Sequence, residues 1–143
     1  MDCRVTAIIQ PDRRTRLSRP LISSYVPAGF PSPAEDYVEG RIDLNRDLIR
    51  HPLTTFYIRV TGDSMVPEIH PGSLLIVDRG MLTTSGNIVV ARINDELCIK
   101  KLSIEKDGGV TLLSENPLYK PIVITEEMDF EVWGRVMHSI RTH

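Results

Sequence analysis

From Thr55 onward the apolar residues gather in short runs rich in β-branched and aromatic side chains, the types that suit a pleated, half-buried surface. The runs are Phe56-Tyr57-Ile58-Arg59-Val60, Leu74 to Val77, Ile88 to Ile93, Leu97 to Leu102, Val110 to Leu113, Ile122 to Ile124 and Phe130 to Ile140. Turn chemistry separates them at Pro71-Gly72, Ser85-Gly86-Asn87, Asn94-Asp95, Asp107-Gly108-Gly109 and Asn116-Pro117. About seven short strands at this spacing predict a mainly β fold, a compact and highly curved antiparallel barrel or sandwich. Phe56, Val77, Val89 and Trp133 read as packing positions within it.

The first third of the chain follows other rules. Residues 1–31 sustain no period and end in Pro27-Ala28-Gly29-Phe30-Pro31, where each proline pushes its predecessor toward extended geometry. An extended N-terminal arm is predicted over residues 1–28, with the folded core over residues 29–143. Helix signals follow the arm. Ser32 before Pro33, with Glu35 three positions on, forms a capping box. Val38 and Ile42 fall on one helical face, as do Leu44 and Leu48, and Gly40 divides the two. Asp43 caps the second short helix, and His51-Pro52 stops it.

Composition narrows the class. With 41% apolar residues in 143, the chain fills one modest core, for which dimerisation is a natural supplement. The net charge of −2 argues against a general nucleic-acid coat, although residues 1–28 carry five arginines against Asp2 and Asp12. The arm is too short and irregular for a helix-turn-helix, so direct sequence-specific DNA binding is not expected. Cys3 and Cys98 lack metal-ligand company and read as free thiols of a reducing cytoplasm. No apolar stretch reaches the roughly 18–20 residues of a membrane span, and no secretory signal opens the chain. Neither a metal nor any other cofactor is expected.

Two residues carry candidate chemistry. Ser64 sits on the glycine-bearing turn Gly62-Asp63-Ser64-Met65, and a serine hydroxyl becomes a nucleophile only when a base takes its proton. None of His51, His70, His138 and His143 lies in a triad-like motif, though triad partners meet in space rather than in sequence. Lys100 lies in the run Cys98-Ile99-Lys100-Lys101-Leu102, whose alternation puts Cys98, Lys100 and Leu102 on one face. A lysine wedged between apolar neighbours is desolvated, and desolvation favours the neutral amine that can serve as a base. Alone, Ser64 reads as a turn residue and either lysine as a surface one, but together they suit a serine–lysine hydrolase, with the small, proline-flanked dipeptide Ala28-Gly29 as its substrate. Gly29 has no β-carbon to obstruct an attacking oxygen.

In these residues the chain resembles the LexA/UmuD family of self-cleaving SOS-response proteins, serine–lysine dyad peptidases. The likeness runs through Ala28-Gly29-Phe30-Pro31-Ser32-Pro33, Asp36-Tyr37-Val38-Glu39, Arg41-Ile42-Asp43-Leu44-Asn45, Gly62-Asp63-Ser64-Met65, Leu74-Leu75-Ile76-Val77-Asp78 and Lys100-Lys101-Leu102. It continues in Ser114-Glu115-Asn116-Pro117 and Lys120-Pro121-Ile122-Val123-Ile124. The resemblance implies Ser64 as nucleophile, Lys100 as general base, backbone amides at Asp63 and Ser64 as oxyanion donors, and cleavage between Ala28 and Gly29. It further implies a homodimer, activation by a RecA filament on single-stranded DNA, and a trimmed core that joins a Y-family polymerase resembling UmuC in translesion synthesis. The chain departs from the family at Ser73, where an aspartate is usual, in a slightly short Val66 to Gly72 segment, and in the arm before Pro20.

Three other readings compete. A serine–lysine processing peptidase acting in trans resembles bacterial signal peptidase but calls for a membrane anchor. A non-cleaving β-domain subunit of a polymerase complex would carry the dyad as a vestige. A truncated LexA-like repressor would need a DNA-binding domain ahead of the cleavage dipeptide.

Overall fold

The computed structural model describes residues 2–11, 18–22 and 38–143. The chain divides into two compact units: one takes residues up to Pro11 together with His51–His143, the other Asp12–Arg50.

The larger unit is built from strands β1 (Arg4–Ile9), β4 (Thr55–Thr61), β5 (Leu74–Asp78), β6 (Ile88–Ile93), β7 (Glu96–Ile104), β8 (Val110–Leu113), β9 (Ile122–Val123) and β10 (Phe130–Ile140), all in one sheet. The hydrogen-bonded order runs β1-β4-β5-β10-β6-β7, and β1 then pairs with β7, closing six strands into an antiparallel barrel. Strands β8 and β9 extend the sheet beyond β7. The predicted mainly β class and the seven predicted runs are borne out as β4 to β10. Residues 4–9 are extended, as expected of the arm, but they are woven into the barrel, with Arg4 opposite Thr61 on β4 and Cys98 on β7.

Apolar residues fill both faces of the central strands. Cys3, Ile58, Val60, Met65, Leu75, Val77, Val90 and Ile99 form one cluster. Val89, Ala91, Cys98, Leu102 and Leu112 form the other, on the opposite face of β6 and β7. Phe56 packs its ring on Trp133 with centroids 5.4 Å apart, and the Arg79 guanidinium lies over the same indole. The barrel turns on β10, whose first half pairs with β6 and whose second half pairs with β5. At its register shift stands Gly134, where an added β-carbon would lie 2.6 Å from Val77 Cγ1. Gly134→Ala is therefore expected to destabilise the barrel by about 1–3 kcal/mol through overpacking, as a denaturant titration would measure.

The smaller unit pairs β2 (Ser18–Ile22) with β3 (Val38–Asp43) and adds the helix α1 (Leu44–Leu48). Asp43 caps α1 as predicted: its carboxylate accepts from the Asn45 amide at 3.0 Å, while the Asp43 amide donates to Asp47 at 2.8 Å. The helical face expected of Val38 and Ile42 is corrected to a strand. A spacing of four fits one face of a helix and one face of a strand equally well, and Gly40 weakens the helix. The presence of β2 as a pairing partner decides the outcome. The capping box at Ser32 lies outside the described residues.

Candidate active site

Two segments converge on one end of the barrel. Strand β4 ends at Thr61, and Gly62, with a φ of 84°, turns the chain sharply as few side-chain-bearing residues can. A tight turn follows, with the Val66 amide donating to the Asp63 carbonyl and the Ile69 amide to the Met65 carbonyl. This turn carries Ser64 inward to 0% exposure. Lys100 stands in the middle of β7, opposite Val89, on the face it shares with Cys98 and Leu102, and is 2% exposed. The predicted alternation therefore holds: Lys101 on the other face is partly solvated and pairs with Glu115 at 3.4 Å.

A buried ammonium persists only where it is paired and hydrogen-bonded. Lys100 Nζ donates to the Asp2 carboxylate and to Ser114 Oγ, each at 2.7 Å. It also lies 5.7 Å from the centroid of the Tyr119 ring. The next residue along, Cys3, donates its amide to Ser64 Oγ at 2.7 Å and to the Asp2 carboxylate at 3.0 Å. Lysine and serine are thus held by two successive residues, Lys100 by the Asp2 carboxylate and Ser64 by the Cys3 amide. Burial alone would raise the Asp2 pKa, but the Lys100 hydrogen bond and charge, with the Cys3 amide, outweigh it and hold the group below the usual carboxylate range.

The loop after β8 braces the nucleophile turn. The Asn116 amide donates to the Ser64 carbonyl at 2.9 Å, and Asn116 Nδ2 to the Asp63 carbonyl at 3.1 Å. The Tyr119 hydroxyl donates to the Asp63 carboxylate, which pushes the phenol up to about 12 and draws Asp63 down. In a trans peptide the N–H points opposite the preceding C=O, so fixing the Asp63 carbonyl also fixes the direction of the Ser64 amide.

The two cysteines are free and buried. Burial, with the Asp2 charge beside them, pushes the Cys3 thiol up to about 12 and the Cys98 thiol up to about 11, so neither is a ready nucleophile. No group of three or more His, Cys, Asp or Glu among the described residues has the arrangement of a metal site.

The structure buries both Ser64 and Lys100 and sets them against the adjacent residues Cys3 and Asp2, while the predicted cleavage dipeptide Ala28-Gly29 lies outside the described residues. Sequence reasoning missed Asp2, Asn116 and Tyr119, and it gave Ser114 no role. Ser114 and Asn116 fall within a tetrapeptide already singled out, so their position in the chain carried a signal. Asp2 offered only its charge.

Comparison with known proteins extends these observations. The Peptidase S24-like family model matches residues 20–137. Protein SamA of Salmonella typhimurium is 39% identical over 86% of this chain and 87% of its own length. Protein MucA of Escherichia coli is 35% identical over 88% and 86%. The LexA repressor of Stenotrophomonas maltophilia is 40% identical over 87% of this chain, but over only 57% of its own length.

Proposed function

This chain belongs to the Peptidase S24-like family as a UmuD-like relative of LexA, and from that membership we propose that it is a serine peptidase that cuts itself between Ala28 and Gly29. The observation that carries the reading is Lys100, a lysine 2% exposed whose ammonium is held by Asp2 while the amide of the adjacent Cys3 donates to the buried Ser64 hydroxyl. Burying a charge at that depth is costly and needs a return, and a buried lysine beside a buried hydroxyl is the arrangement a serine–lysine dyad requires.

The reaction is acyl transfer. Lys100, in its neutral form, takes the Ser64 proton as Oγ attacks the Ala28 carbonyl carbon. The amides of Asp63 and Ser64 stabilise the developing oxyanion. As the C–N bond breaks, Lys100 returns the proton to the Gly29 amine, and water then hydrolyses the ester to free Ser64. Ser114 is a second acceptor for the lysine ammonium, and Asn116 holds the turn. The products are residues 1–28 and 29–143, and each molecule turns over once.

The wider role follows the relatives. The uncut protein responds to a RecA filament on single-stranded DNA, and the trimmed core, a cytoplasmic homodimer, joins a Y-family polymerase resembling UmuC in error-prone translesion synthesis. The rival reading is a regulatory subunit of such a polymerase with a vestigial dyad. Intact mass of the purified protein after alkaline incubation, and again with RecA, nucleotide and single-stranded DNA, separates the two. The expected result is loss of residues 1–28. A chain that stays whole even with the assembled filament favours the vestigial subunit.

A further inference from the structure

We propose that the dyad cleft is also a binding site for a carboxylate borne on an extended segment, and that Asp2, at the head of β1, fills it as a resident inhibitor of the dyad. This inference rests on the Ser64–Lys100 reading of the site. Three contacts carry it. The Asp2 carboxylate receives the Lys100 ammonium at 2.7 Å, and a lysine in that state has no lone pair to offer a serine. The same carboxylate accepts from the Cys3 amide at 3.0 Å, which ties it to the residue that holds Ser64. The Cys3 amide donates to Ser64 Oγ at 2.7 Å, occupying the oxygen that would attack.

The seat is built rather than incidental. The Cys3 carbonyl accepts from the Ile99 amide at 3.1 Å, the Cys3 side chain is fully buried in the first cluster, and the Arg4 guanidinium lies 3.7 Å from the Glu96 carboxylate on β7. The groups facing Lys100 are the Asp2 carboxylate, the Ser114 hydroxyl, the Tyr119 ring and the neutral thiols of Cys3 and Cys98, so Asp2 supplies the anion. Chemistry gives the site its ligand class. A serine peptidase hydrolysing an acyl ester must hold a carboxylate beside its nucleophile at the end of each turnover, and Asp2 reproduces that product from within the chain. A substrate segment and residues 2–4 cannot occupy the cleft together, so the head of β1 must lift before the arm can be cut.

The test compares full-length wild type, Asp2→Asn and Arg4→Glu. The second variant weakens the same seat through repulsion from Glu96 without touching the dyad. The readouts are phosphorylation of Ser64 by diisopropyl fluorophosphate, which needs no docked arm, the rate of loss of residues 1–28, and hydrogen exchange at the Ile99 amide. Removing a charge-assisted contact is expected to make Ser64 labelling in Asp2→Asn about tenfold faster, with faster Ile99 exchange, and in Arg4→Glu about twofold faster. Variants that expose the Ile99 amide while Ser64 labels no faster than wild type would overturn the proposal, as would an unaltered Ile99 amide with unaltered labelling. Faster labelling with residues 1–28 retained in every form would uphold the resident inhibitor and instead reject self-cleavage at Ala28-Gly29.

Discussion

Ser64→Ala and Lys100→Ala are each expected to abolish loss of residues 1–28, lowering the rate by roughly 10⁴-fold or more under conditions where the wild type cuts. The two losses arise at different points of one proton path, so they should not add. Without Oγ there is no nucleophile, and no pH restores one. Without the amine the hydroxyl remains, and rising hydroxide restores a trace of cutting that Ser64→Ala never shows. Ser64→Ala removes one buried oxygen and relieves the Cys3 amide of an acceptor, while that amide keeps the Asp2 carboxylate at 3.0 Å. Its fold is therefore retained. Lys100→Ala leaves the Asp2 carboxylate short of its cation and empties a large buried volume, so it is also expected to unfold at lower denaturant. Lys100→Met keeps most of that volume without the amine and separates the chemical loss from the structural one. Either alanine variant cutting at the wild-type rate would remove its residue from the mechanism.

The site was legible from the chain where chemistry is local. Ser64 follows a glycine turn at the end of a predicted strand, and Lys100 interrupts an apolar strand, so each is anomalous within its own few residues. What the alternation of β7 did not convey is that both faces of the strand are buried there, Ile99 in one cluster and Lys100 toward the other. Asp2 was invisible because its meaning depends on a pairing between residues 98 positions apart. A lone aspartate near the start of an arginine-rich arm looks like solvated charge until closure of β1 onto β7 sets it against the lysine. The same non-locality explains Val38 to Ile42, where a spacing of four suits two structures and β2 selects one. By contrast, Asp43 as a helix cap needs only the next few residues, and it was read correctly.

The second large effect lies in the barrel away from the dyad. Asp78→Ala is expected to lower stability by about 3 kcal/mol, because the carboxylate is 2% exposed and satisfies three donors at once. Thr54 Oγ1 donates at 2.6 Å, His51 Nδ1 lies at 2.7 Å, and the Gly80 amide donates at 2.8 Å. Together they tie the segment entering β4 to the end of β5, where the Arg79 amide also bonds to the Thr54 carbonyl. Alanine removes every acceptor and leaves partly buried donors unpaired, which for a chain of this size lowers the thermal midpoint by roughly 10 °C. Burial works to raise the Asp78 pKa, but the hydrogen bonds from Thr54, His51 and Gly80 prevail and hold it below the usual carboxylate range. A depressed folded-state pKa contributes stability that is fully present above the unfolded value of about 3.9 and is lost as pH falls through the folded value. The gap between wild type and Asp78→Ala should therefore stay level from neutral pH down to about 4 and close below it. Denaturant titrations across that range measure the gap directly. A variant as stable as wild type would remove the three-donor clasp from what holds β4 against β5.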